Sequence, residues 1–309
     1  MASIIVCIAT CNRPHGLKRT LDSIAALDTK HQLEVLVADN DARRREGLAV
    51  VEALASRDYR WPIEALLVAE RGIPLVRNAL VAAALGRPGV THVAMLDDDE
   101  AASPQWIDAL VDTAQQSDAD VVGGAVLREM DSAVAPWASR HPLLQAKRRG
   151  RSGPVALVDS TANVLIAAPA LRAMGDRPFD DRMALTGGSD KQLFSRMARQ
   201  DFRFAWAEDA LVTELIPASR VTAKWLLMRG YRLGMTDMMV ERFHKGRLRT
   251  LIGEAPRIAA GFLVGTLGAA ATLDRGKRVV RLGKLYRAVG KIAGLLGLHY
   301  EEYRKVHGA

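Results

Sequence analysis

Three consecutive carboxylates, Asp97-Asp98-Asp99, follow an apolar run at 90–96 and are the residues of this chain best suited to chemistry. Three like charges at a strand end repel one another. A divalent cation that prefers hard oxygen ligands, Mg2+ or Mn2+, relieves that cost. In an extended stretch alternate side chains share a face, so Asp97 and Asp99 point together while Asp98 turns away. Such a D-x-D pair suits a metal that also takes the diphosphate of a substrate. The competing reading is structural, with Asp99 or Ser103 capping the next helix.

Other candidates lie at comparable places. Asp39 ends a second apolar run, where a carboxylate commonly meets a ribose or a base edge, and Asp41 either does the same or begins a turn. Arg77 and Asn78 open a helix after Gly72-Ile73-Pro74 and suit phosphate or base contacts, or surface ion pairs. Gly187-Gly188-Ser189-Asp190 precedes a helix, so Asp190 is either an N-terminal cap or a general base set over a substrate by a tight glycine loop. The seven histidines are scattered away from these acids, and no Ser-His or Cys-His nucleophile is suggested.

The elements that must position these groups read as an alternation. Strands are expected at 3–9, 33–38, 63–68, 90–96 and 120–126, and helices at 17–27, 48–56, 75–85 and 104–116. That rhythm predicts a parallel sheet with helices on both faces, whose ligands bind beyond the carboxyl ends of the strands. Thr10 to Arg13, Asp39 to Asp41 and Asp97 to Glu100 all fall at such ends. Residues 127–154 read as an irregular connection, and order resumes at 155–167 and in a helix at 189–200.

The 309 residues carry a formal charge of +8, unevenly distributed. Residues 1–217 hold 25 basic and 29 acidic side chains, whereas residues 218–309 hold 18 basic and 6 acidic. The expectation is a region at 1–217 that holds the candidate groups above and a basic, helical, membrane-associating region at 218–309. Within it, 221–243 looks helical, and 258–273 is an uncharged run too short to span a bilayer. Residues 277–298 are amphipathic, with Leu282, Leu285, Tyr286, Val289, Ile292, Ala293 and Leu296 opposite Lys277, Lys284, Arg287 and Lys291. That pattern suits either an interfacial helix on anionic lipid or a helix docked on the domain. Two cysteines, Cys7 and Cys11, exclude a disulfide framework, and their spacing matches no common zinc pattern. No basic n-region precedes the first apolar run, so a cytoplasmic location is expected, peripheral on the inner face of the plasma membrane.

The stretches SIIVCIATCNRP, VLVADND, ERGIPLVRNALVAAA, VAMLDDDEAASPQWI, STANVL, TGGSD, VTELIPASR and WLLMRGYRLG, in that order between Ser3 and Gly234, resemble the inverting glycosyltransferases of family two. Within that family the resemblance is to the succinoglycan-type glucosyltransferases of bacterial exopolysaccharide synthesis. It implies a GT-A nucleotide-sugar-binding fold and a nucleotide-sugar donor, UDP-linked by expectation. The acceptor would be a lipid-linked saccharide and the cofactor Mn2+ or Mg2+. On the resembling positions, Thr10, Asn12 and Arg13 would line the nucleotide pocket and Asp39 and Asp41 would face the nucleoside. Arg77, Asn78, Asp97 and Asp98 would hold the donor, and Asp97 and Asp99 the metal. Glu214 stands where a third metal ligand, often His, is found. Asp190 would be the base behind Gly187 and Gly188, although Ser189 replaces the family's usual Glu. Arg220, Arg229 and Arg232 would meet donor or lipid phosphates, or form ion pairs with the domain.

Two rivals fit less well. A sugar-phosphate nucleotidylyltransferase would want a glycine-rich loop where this chain has Thr10-Cys11-Asn12-Arg13-Pro14. A nucleic-acid-binding protein would interleave its basic residues with aromatics, which are only 5% of the chain.

Overall fold

A computed structural model of the chain describes residues 1–301, so the last eight residues of the expected region 218–309 lie outside the described residues. The elements in chain order are β1 (Ser3–Thr10), α1 (Pro14–Ala25), β2 (Gln32–Asp39), α2 (Glu46–Ala55), β3 (Ile63–Leu67), α3 (Ile73–Leu85), β4 (His92–Asp97), β5 (Glu100–Ala102) and α4 (Trp106–Ser117). They continue through β6 (Val121–Met130), α5 (Pro136–Ser139), β7 (Gly153–Val155), β8 (Val164–Ala167), α6 (Ala168–Ala173), α7 (Ser189–Ala198) and β9 (Phe204–Ile216). Three long helices follow: α8 (Ala223–Lys245), α9 (Arg247–Ala270) and α10 (Arg275–Leu296).

One sheet with helices on both faces organises residues 3–216, in the order β3-β2-β1-β4-β8-β6-β9-β5, with β7 on β9. The alternation of β1 shows why. Ile4, Val6 and Ile8 pack with α1 and α4, while Ile5 and Cys7 pack with α3, α6 and α7. In α1 the helical spacing of Leu17, Leu21 and Ile24 buries one stripe completely.

The sheet is mixed rather than parallel throughout. Parallel pairing holds over β3-β2-β1-β4, but β8 enters antiparallel to β4, and β6 antiparallel to β8. Strand β9, parallel to β6, is absent from the strands expected above, because Glu208 and Asp209 interrupt its apolar pattern. Glu208 is tolerated there because Trp206, Arg148 and the Arg149 N–H all donate to it.

The C-terminal helices differ most from expectation. The apolar run at 258–273 is the second half of α9, which begins at Arg247 and continues through Pro256. Proline there leaves the carbonyl four residues back without its helical donor, on an outer helix where Ile252 is exposed. The amphipathic helix α10, which suited either an interfacial or a docked position, lies between α8 and α9, packed along both. Its contact with α8 is made through glycine. A Cβ on Gly290 would collide with the Tyr231 carbonyl, and one on Gly234 with the Arg287 carbonyl. Lys291, expected on the solvated face, is buried and paired with Glu254. Among the described residues no helix is long and apolar enough to cross a membrane.

Candidate active site

The pairing register sets Thr10 beside Asp39 and Ala9 beside Asp97, so the carboxyl ends of β1, β2 and β4 stand level. Beyond β1 and β4 opens a cleft of about 610 Å³, closed on its far side by α8 and by the loop before α7. Thr10, Arg13, Arg77, Asp97, Asp98, Asp99, Gly187, Gly188, Asp190, Glu214, Arg220, Arg229 and Arg232 all line it. The topology therefore brings together residues separated by more than two hundred positions.

The acidic triplet departs from the extended geometry expected of it. Asp97 is the last residue of β4, and Asp98 and Asp99 form the turn into β5. The alternation ends at Asp97, so Asp98 does not face away: it is buried in the cleft wall. There it accepts the Thr10 hydroxyl at 2.8 Å and the Arg13 guanidinium at 2.8 Å. Arg13 reaches Asp99 as well, at 3.0 Å, and Arg220 reaches both Asp99 (3.3 Å) and Glu214 (3.4 Å). Arg128 from β6 takes the other oxygen of Glu214 at 2.9 Å. Burial alone would discharge Arg13, but Asp98 and Asp99 outweigh it and hold the guanidinium charged.

Asp97 is the exception in this row. Its nearest cation, Arg77, stands 3.7 Å away, and its side chain is 45% exposed. Partial burial, reinforced by Asp99, Asp98 and Glu214, raises its carboxyl above the usual range against the pull of Arg77. Beneath it the buried Glu100 accepts the Asp97 N–H at 3.0 Å and is itself raised, first by burial and then by Asp97 and Glu214. Crowded carboxylates of this kind are the chemistry a hard divalent cation relieves. Among the described residues no three His, Cys, Asp or Glu side chains stand together as a ready-made metal site, and arginines pair with Asp99 and Glu214. Of the expected metal ligands Asp97 is the least engaged, while Asp99 is held by Arg13 and Arg220. Glu214, expected as a third ligand, joins Arg128 to Arg220.

Asp190 reaches the cleft from a different element. Gly187 and Gly188 have φ of 74° and 95°, a left-handed turn that a side chain would strain, and it delivers Asp190 as the second residue of α7. The adjoining Ser189 is buried, and its hydroxyl has no hydrogen-bond partner.

Four expected donor contacts do not line the cleft. Asn78 is buried on the far side of α3, donating to the Phe179 carbonyl (2.8 Å) and Asp181 (3.0 Å) and accepting the Phe179 N–H (2.9 Å). It clamps a chain crossing. Asp39 is fully buried, and its carboxylate accepts the N–H groups of Asp41, Gly47 and Leu48, closing the start of α2. Asp41 begins the turn that follows and accepts the Arg43 N–H. Asn12 sits in the left-handed region at φ 55°, with its side-chain amide oxygen buried and without a hydrogen-bond partner.

Other residues were not anticipated. Asn40 donates to the Val68 and Glu70 carbonyls and accepts the Gly72 N–H, tying the end of β2 to the loop that carries Arg71 into the cleft. Lys191, Asp237 and Arg287 line the cleft together, with Asp237 accepting from both cations. Asp237 had a signal of its own, as the single acid between Ala218 and Val240 in a basic segment. Arg128 and Asn40 had none.

The glycosyl transferase family 2 model matches residues 5–175. The succinoglycan biosynthesis protein ExoM of Rhizobium meliloti is 31% identical over 312 residues, covering 96% of this chain and 94% of that protein. The glucosyl-dolichyl phosphate glucuronosyltransferase of Haloferax volcanii is 33% identical over 146 residues, 45% of this chain and 40% of its own. Among solved structures, the mannosyltransferase PcManGT from Pyrobaculum calidifontis, in complex with GDP-Man and Mn2+, superposes with a TM-score of 0.62 at 16% identity. It covers 95% of this chain and 87% of its own length.

Proposed function

Because the chain belongs to glycosyl transferase family 2, we propose that it moves a hexose, with inversion, from a UDP-sugar to a hydroxyl of a lipid-linked oligosaccharide. The setting is bacterial surface or exopolysaccharide assembly at the anionic inner face of the plasma membrane. Residues 1–217 carry the chemistry and residues 218–309 the membrane association. One observation carries the reading: the Asp97-Asp98-Asp99 turn and Asp190, at the start of α7 behind the glycine loop, line a single cleft. Kinship to the succinoglycan protein along nearly the whole chain supports the polysaccharide setting.

In this reading Arg13 and Thr10 hold Asp98 rigid, so that the turn meets the donor in one geometry. Arg77 and Arg220 meet phosphate oxygens. A divalent cation on Asp97 and Asp99 would supply neutralisation of the departing diphosphate. Asp190 takes the proton of the acceptor hydroxyl as that oxygen bonds to the anomeric carbon. The bond from the same carbon to the diphosphate breaks, and the nucleoside diphosphate leaves with the electron pair. A single displacement opposite the leaving group inverts the centre.

A thermal-shift screen of nucleotide sugars with manganese tests the donor. A true donor at a hundredfold excess over its Kd stabilises the fold by about 2.7 kcal/mol. If no nucleotide sugar raises the midpoint and none is consumed with a saccharide acceptor present, the proposal fails.

A further inference from the structure

We infer that the outward face of α9, with the adjoining exposed edge of α10, is the surface that beds into an anionic lipid bilayer, and that the rest of α10 serves as its support inside the protein. This deepens the membrane association proposed above and rests on that reading for its biological setting. Its geometry stands apart from it.

Along α9 the residues Leu248, Ile252, Ala255, Ala259, Leu263, Thr266 and Ala270 recur at three- and four-residue steps and form one uncharged stripe. The helix has 24 residues and is about 36 Å long. Its inner side packs on α10, with Gly261 over Ala288 and Gly265 over Leu285, so the stripe faces away from the molecule. Leu248, Ile252, Leu263 and Leu267 are 60–69% exposed, and Leu273 beyond the helix end is 94% exposed. Val289, Ile292 and Leu296 of α10 extend the same kind of surface alongside. An apolar face of this length on an outer helix marks an interaction site.

Charge decides between occupants. From Arg247 to Leu296 there are ten Lys and Arg residues and two acids, Glu254 and Asp274. Both acids are engaged within the chain: Glu254 pairs with Lys291 and Arg257, and Asp274 caps α10 by accepting the Lys277 N–H. A second copy docking through the same face would set cations against cations. An anionic lipid surface meets both the apolar stripe and its basic border, including Arg247, Arg249 and Arg257. Because α10 contributes Arg287 to the cleft while its other side carries α9, the bedded face and the cleft share one helix.

The test is co-sedimentation of the full chain with vesicles of phosphatidylglycerol and phosphatidylcholine in equal parts, and with phosphatidylcholine alone. The expected result is binding to the anionic vesicles that weakens with salt and is much lower on the neutral ones. Ile252→Asp combined with Leu263→Asp should weaken binding by more than about tenfold. Both side chains are exposed, so the thermal midpoint and the nucleotide-sugar shift should stay unchanged. A wild-type chain that ignores anionic vesicles, or a double variant that binds as well as wild type, overturns the inference. So does a wild-type dimer that the double variant converts to monomer without any vesicle binding. The nucleotide-sugar screen on the same preparation separates the two claims. A chain that beds on lipid but answers to no sugar leaves this surface standing and removes the transferase reading.

Discussion

Arg287 of α10 donates to the carboxylate of Asp237 on α8 at 2.6 Å, while the other oxygen of Asp237 accepts from Lys191, the residue after Asp190. A C-terminal helix is thereby tied through one carboxylate to the first turn of α7, which carries the proposed base. Burial would raise the Asp237 carboxyl, but Lys191 and Arg287 outweigh it and hold it below its usual range.

Asp237→Asn should lower transfer more than donor binding, because it removes the restraint on Lys191 and leaves the Asp97 side of the cleft intact. The stability cost should be about 2 kcal/mol, as for a hydrogen bond to a charged group. Turnover and donor-induced thermal shift, measured on one preparation, check this. Equal losses in both would mean that the substitution has disturbed the whole cleft.

For Asp190→Asn the expectation is a preserved donor shift and a loss of transfer of at least about a hundredfold, the usual contribution of a positioned base. Initial rates of UDP release with a saccharide acceptor provide the measurement. A variant that retains wild-type turnover would remove Asp190 from the reaction.

Asn78→Ala separates a ligand contact from a clamp. Three hydrogen bonds to Phe179 and Asp181 are lost inside the protein, so denaturant unfolding should show a loss of about 2 kcal/mol or more. Donor affinity, measured well below the new unfolding midpoint, should not change.

Acid should act on β9 through Glu208. Burial opposes its charge, but the Arg149 N–H, the Trp206 indole, Arg148 and the Gly150 N–H together bring its carboxyl from 4.5 down to about 2. A carboxyl with a depressed folded-state pKa contributes stability that is complete above its unfolded value and lost as pH falls toward the folded one. Stability should therefore decline between about pH 4.5 and 2 by up to roughly 3 kcal/mol from this group. Urea unfolding across that interval should show a flatter decline in Glu208→Gln, which starts from lower stability at neutral pH.

Local pattern was enough for much of the fold. The β-branched runs at the first, second and fourth strands, and the glycine pair before Asp190, determine their own conformations through sterics and side-chain period. They place Thr10, Asp97 and Asp190 at strand or helix ends wherever the chain goes. What each side chain touches there is a different matter, because partners come from distant sequence. Asp98 looked outward-facing until the turn after β4 brought it to Arg13, 85 positions away. Asn78 looked like a ligand contact until α3 was packed against Phe179, 101 positions away. Asp39 spends its charge on the first N–H groups of α2, and Glu214 on Arg128 and Arg220. The C-terminal helices make the same point on a larger scale. Periodicity identified α10 as amphipathic, but a helix with two apolar or glycine-lined sides can be buried between neighbours, and its moment does not say which neighbour arrives. Close approach at Gly234 and Gly290 put α10 inside the layer and left α9 to face outward. The amino-acid order decided which groups could do chemistry, and tertiary packing decided which of them remain free to do it.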